Sequence, residues 1–215
     1  TNRCGFNKPF QLAYANHECG YLPPRLQWRR CILSEETIIS QCSPTLAGLK
    51  TGNMFIYPYS TAEEMRVAVR RWNRAFSEKG LRVLPLKYNG RSALIYLYRP
   101  SMLSRDLQNK TAYNILTKCG YGFRSPETCI AQLIKRMADC EEFPHEVGLF
   151  LGYPPEDVEG FIENKARSCK LTGYWKVYSD EEKAKKIFAK YSKCTRVYTE
   201  QYAGGKTIER LTVAG

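Results

Sequence analysis

The first strongly patterned stretch is MFIYPY at residues 54–59, an apolar and aromatic run ending at Ser60 that predicts a strand. Ser60 then suits the start of a helix, with Glu63 in the capping-box position. Met65, Val69, Trp72 and Phe76 follow at four- and three-residue spacing, with Ala68 and Ala75 beside them. Arg66, Arg70, Arg71 and Arg74 fall mostly on other faces, and Gly80 ends the helix. LRVLPLKY and RSALIYLYRP flank Asn89-Gly90, a strong hairpin dipeptide. The pattern therefore predicts strand, helix, hairpin.

The same order recurs near the other end. GYWKVY at 173–178 reads as a strand, and Ser179 with Glu182 heads a helix whose apolar face is Ala184, Ile187, Phe188 and Tyr191. TRVYTEQY and TIERLTV then flank Ala203-Gly204-Gly205. A constant offset carries Tyr59, Ser60, Glu63, Met65, Ala68, Val69 and Trp72 onto Tyr178, Ser179, Glu182, Ala184, Ile187, Phe188 and Tyr191. An internal repeat weighs heavily in a fold assignment. The expectation is an α+β fold: two strand–helix–hairpin repeats forming one mixed or antiparallel sheet of about six strands.

Between the copies, residues 101–165 predict a helical insert. Ser101 opens a segment with Met102, Leu103, Leu107, Tyr113, Ile115 and Leu116 as its apolar residues, closing at Cys119-Gly120. Ser125-Pro126-Glu127 opens a second, with Ile130, Leu133, Ile134 and Met137 inward. Pro144 precedes a histidine segment, and Pro154-Pro155 open a helix with Val158, Phe161 and Ile162 inward. Ahead of the first strand, residues 34–41 give a short helical lead-in. Ser43 as N-cap, Pro44 at the first helical position and Gly52 as C-cap then predict a two-turn helix. Gly48, Lys50, Thr51 and Gly52 resemble a phosphate cradle, but their spacing is not that of a nucleotide loop.

Composition adds compartment more than chemistry. The chain has 215 residues, 43% hydrophobic and 25% charged, as a globular protein does. No apolar window approaches the roughly 18 residues of a membrane span, so no membrane partner is expected and the location expected is cytoplasmic. Nine cysteines, with no Cys-x-x-Cys pair, read as free thiols. Residues 1–32 are poorly periodic and carry five Lys/Arg against one acid. No methionine precedes Met54, and an ordinary-looking segment opens at Leu33. The expectation is that 1–32 form a disordered or non-native extension and that 33–215 are a single domain.

Few residues point to chemistry. His145-Glu146 could act as a general acid–base pair. It lacks the second histidine of a zinc protease motif, since position 149 is leucine, and no metal site is expected. The competing reading is a histidine bonded at a helix end. Cys42 beside Ser43-Pro44 could be a nucleophile with His145 as base, although a small buried thiol fits it better. The formal charge of +12 and fifteen tyrosines raise the question of nucleic acid, but no nucleic-acid-binding motif supports it. The basic balance also suits a small anionic ligand, and Arg99, at a strand end before Pro100, suits an anion site facing the insert.

CSPTLAGLKTGNMF, SALIYLYRPSML, EFPHEVGLFLGYPPEDVEGFIENK, GYWKVYSDEEKAKKIFAKYSKC and ERLTVAG together resemble a bacterial family known as domain of unknown function 3793. The resemblance covers about residues 34–214. It implies a bacterial intracellular protein and brings no activity, cofactor or catalytic residue with it. From the residues themselves, the expected function is binding of a small anionic ligand where the sheet meets the insert. Lys50 and Arg99 would hold charge there, and His145 with Glu146 would handle a proton. Whether the chain is an enzyme stays open, and its cofactors are unknown. The alternative is a non-catalytic interaction or nucleic-acid-binding module using the basic helices.

Overall fold

Helix α1 (Glu35–Leu46) runs straight through the dipeptide expected to start a helix. The structure, a computed structural model, describes residues 35–122, 125–139 and 143–215, so the expected N-terminal extension lies outside the described residues. Ile38, Ile39, Cys42 and Leu46 form a buried face that carries α1 through Pro44. Ser43 and Pro44 therefore close this helix instead of opening another, and the Ser43 hydroxyl donates to the Ile39 carbonyl. Gly48 takes a left-handed φ of 70° just beyond the helix. Leu49 and Lys50 then both donate their N–H to the Pro44 carbonyl, at 2.8 and 3.1 Å. Gly52, expected as a cap, is the first residue of strand β1 (Gly52–Pro58).

The first strand–helix–hairpin unit forms as its pattern predicts. Helix α2 (Ala62–Phe76) buries Met65, Trp72 and Phe76. Its cap lies one residue later than expected: Thr61 accepts from the Glu64 N–H, and Glu64 reaches back to the Ser60 N–H at 2.9 Å. Strands β2 (Arg82–Asn89) and β3 (Ser92–Tyr98) make the hairpin, with Asn89 paired to Ser92. The sheet order is β1-β3-β2, antiparallel throughout. Residues 93–98 of central β3 are all buried. Ala93, Ile95 and Leu97 face α1 and α2, whereas Leu94, Tyr96 and Tyr98 face the insert. A strand covered on both sides reads as a continuous apolar run, and SALIYLY does.

The insert is helical: α3 (Pro100–Leu107), α4 (Lys110–Lys118), α5 (Pro126–Asp139), α6 (Val147–Phe150) and α7 (Pro155–Glu163). Its apolar residues pack with Met54, Leu94, Tyr96 and Tyr98 on one sheet face. The segment expected from Ser101 to Cys119 is two helices, because the Asn109 side chain accepts from the Thr111 and Ala112 N–H groups and starts a new one. Among the described residues no helix is long and apolar enough to cross a membrane.

The second unit does not repeat the first. Strands β4 (Leu171–Thr172) and β5 (Lys176–Val177) form a separate two-residue ladder. Residues 195–202, expected as a strand, are the second half of helix α8 (Glu181–Ala203). The second flank of the expected hairpin is helix α9 (Ile208–Leu211) and the residues after it. The fold class is α+β, with sheets of three and two strands among the described residues in place of one sheet of about six. The reason lies in a double pattern. Thr195, Val197 and Thr199 alternate as a strand would, but Tyr191, Tyr198 and Tyr202 also share a helical face. Neither Gly nor Pro interrupts 181–203, and Tyr198 and Tyr202 pack on the cluster around α1. Burial of that face sets the helical period.

Candidate functional site

The insert meets the start of the sheet where α1, β1 and the corner before α7 converge. The Thr51 hydroxyl donates to Asp106 of α3. Gly152, at φ 74°, lies against it, and a Cβ there would come within 2.6 Å of the Thr51 Oγ1. The Tyr96 hydroxyl donates to the Phe150 carbonyl at 2.5 Å, tying the central strand to α6. This junction is held by polar groups on both sides.

Lys50 sits inside it, 4% exposed. Its Nζ donates to Asn53 Oδ1 at 3.0 Å and lies 5.2 Å from the centre of the Tyr153 ring. Asn53 Oδ1 also accepts from Thr45 Oγ1 at 3.0 Å, while Asn53 Nδ2 donates to the Gln41 carbonyl at 2.7 Å. No carboxylate pairs with Lys50 among the described residues. A lysine buried without a counter-charge is rare, because removing the ammonium from water is costly. Burial accordingly draws its pKa down from 10.5 to about 7. Cys42 lies close by, and burial pushes its thiol up to about 12, with the Lys50 charge pulling the other way. A thiol held in that range is an inert packing group, not a nucleophile.

Arg99 is buried more deeply, at 1% exposed, and differs in its partners. Its guanidinium donates to the carbonyls of Thr45 at 2.8 Å, Leu46 at 2.8 Å, Val213 at 2.7 Å and Lys79 at 3.2 Å. Two of these are terminal carbonyls of α1, which have no acceptor role left inside the helix and gather its negative dipole end. Arg99 therefore staples the end of α1, the turn after α2 and the C-terminal tail. Thr45 links the two cations, through its hydroxyl toward Lys50 and its carbonyl to Arg99.

His145 and Glu146 are neighbours in sequence that face different ways. His145 is exposed, its ring edge-on to Phe161 at 5.0 Å. Glu146 is 3% exposed and accepts from Arg136 Nε at 2.7 Å and the Tyr121 hydroxyl at 3.0 Å. Arg136 also donates to the Cys119 carbonyl at 2.9 Å, so this cluster ties α5, the end of α4 and the approach to α6. The four expected site residues are thus spread over three places, with Lys50 and Arg99 joined through Thr45.

The family described as "Protein of unknown function (DUF3793)" matches residues 38–212. The chain belongs to that family. No curated protein and no solved structure matches it. The matched span of this DUF3793 chain takes in the whole junction, including three residues that sequence reasoning passed over. Asp106 and Tyr153 complete the surroundings of Thr51 and Lys50. Asp157 is a buried carboxylate holding Trp175 Nε1 at 2.7 Å and the N–H groups of Tyr178 and Ser179 at 2.8 Å each. The acidic segment Glu156-Asp157 was visible in the sequence, but its partners about twenty residues on were not.

Proposed function

We propose that this protein binds a small anionic ligand at the junction of sheet and helical insert, with Lys50 as the residue that meets the charge. One observation carries the reading. Among the described residues the Lys50 amine is buried against a single, shared, neutral acceptor, so it has unmet capacity for an anion. An anion arriving there would supply the missing counter-charge and raise the proton affinity of the amine, so binding takes up a proton near neutral pH. Tyr153 covers the amine, and access requires that ring, next to Gly152 at the corner, to turn away. The reading rests on Lys50 alone. Arg99 has its donors committed to backbone carbonyls, Glu146 is engaged by Arg136 and Tyr121, and His145 lies at the surface.

Thermal denaturation with inorganic phosphate and with acetate, at pH values about one unit either side of the Lys50 pKa, tests this. Wild-type protein is expected to gain stability with at least one of these anions, more at the lower pH, and Lys50→Met to gain none. No stabilisation of wild type by either anion, or an equal gain in Lys50→Met, overturns the assignment.

A further inference from the structure

Helix α8 carries four lysines, Lys183, Lys186, Lys190 and Lys193, at spacings of three, four and three residues. At 100° per residue this places them along one stripe, and all four are exposed. The opposite side of the helix is anchored by Ala184 and Tyr191, both buried, so the stripe is held on a rigid element. Its charge is not cancelled locally. The carboxylates of the first turn, Glu181 and Glu182, are both taken by Lys185, off the stripe, at 2.8 and 3.0 Å. Arg196, one turn beyond, pairs with Glu200. None of the four lysines is in an ion pair among the described residues. Three of the four arginines of α2 differ: Arg66 and Arg70 share Glu63, and Arg71 reaches Glu35.

We propose that the lysine stripe of α8 is a docking surface for the phosphate backbone of nucleic acid. Ten residues of helix span about 15 Å, so the four ammonium groups form a line of point charges a few ångströms apart. A phosphodiester strand offers a line of negative charge at comparable intervals. An acidic protein partner fits less well. Stable protein interfaces centre on apolar or aromatic anchors, and none of the exposed large hydrophobic residues lies on α8. Lysines alone also imply contact without base reading, since they position the backbone and carry no sequence information. This surface is separate from Lys50, so either proposal can fail without the other.

The test is fluorescence anisotropy with labelled DNA of about 20 nucleotides, single-stranded and duplex, from roughly 25 to 200 mM salt. The full chain is compared with a variant carrying Lys183→Gln, Lys186→Gln, Lys190→Gln and Lys193→Gln. Wild type is expected to lose about a thousandfold in affinity over that salt range, a slope near −3 to −4 for four phosphate contacts. The variant is expected to bind at least about tenfold more weakly at low salt, with a flatter slope and an unchanged melting temperature. Equal binding by the variant, or no binding by wild type at low salt, overturns the proposal. So does competition by poly-glutamate as effective as that by unlabelled DNA, which would make the stripe a site for acidic protein.

Discussion

Lys50 and Arg99 are both buried cations beside the end of α1, joined through Thr45, yet they stand in opposite conditions. Arg99 points its guanidinium at four backbone carbonyls, two of them at the negative end of α1. Among the described residues Lys50 has one amide oxygen, shared with Thr45. Burial of a charge is therefore no guide to function until its acceptors are identified. A cation whose donors are satisfied is part of the frame, and one whose donors are not is the candidate for a partner. The sharpest way to break this contrast is Arg99→Met. The Thr45 and Leu46 carbonyls keep the Gly48 and Val213 N–H groups as donors, but four hydrogen bonds from a charged guanidinium are lost. At about 1.5 kcal/mol or more for the best of them, a loss of about 4 kcal/mol is expected. Urea denaturation checks it. Stability within about 1 kcal/mol of wild type would mean that the staple holds nothing the tail cannot hold alone.

The second test acts on Lys50 and has the opposite sign. The folded pKa of about 7 lies below the ordinary 10.5, so between these values the unfolded chain holds a proton that the folded chain does not. Stability due to this group therefore rises with pH across that window and is flat below about 7. Cys42, raised from 9.0 to about 12, works against it above pH 9, so the clean window is pH 7 to 9. The difference between wild type and Lys50→Met isolates the lysine. Over those two pH units it is expected to move by about 2–3 kcal/mol in favour of wild type, at about 1.4 kcal/mol per unit. Below pH 7, Lys50→Met is expected to equal or exceed wild type in stability, because it removes an uncompensated buried charge. A difference curve that stays level between pH 7 and 9 would show that the amine is charged in the fold after all.

The contrast between the two cations also explains what the chain disclosed in advance. Short-range signals were readable: Met65, Trp72 and Phe76 mark the inner face of α2, Asn89-Gly90 marks the hairpin, and the insert helices follow their apolar residues. In the 195–202 stretch two periods coexist, and the choice between them was made by Tyr198 and Tyr202 packing against the cluster around α1. That contact is invisible locally. The offset match between the two units covered only residues 59–72 against 178–191, the cap and the helix face, and could not speak for the flanks. The placement of Lys50 at the junction of sheet and insert was legible, and there it meets the Gly152–Tyr153 corner. The roles were not legible. Arg99's acceptors come from Thr45, Lys79 and Val213, separated from it by up to 114 residues.

The smallest test repeats the same contrast at Glu146 and His145, adjacent residues of which one is engaged and one faces solvent. Glu146→Gln keeps the shape but replaces a charged acceptor of Arg136 with a neutral one, inside a cluster that ties three parts of the insert. A loss of about 1–2 kcal/mol is expected, partly offset because Arg136 is itself more than a third exposed. His145→Ala removes an exposed ring resting on Phe161, and the expected change is within about 0.5 kcal/mol. Thermal melts of the two variants, side by side, check the ranking. If His145→Ala proves as damaging as Glu146→Gln, the edge-on contact with Phe161 holds α7 to the turn before α6. The engaged and solvent-facing partners would then not differ in the way their contacts imply.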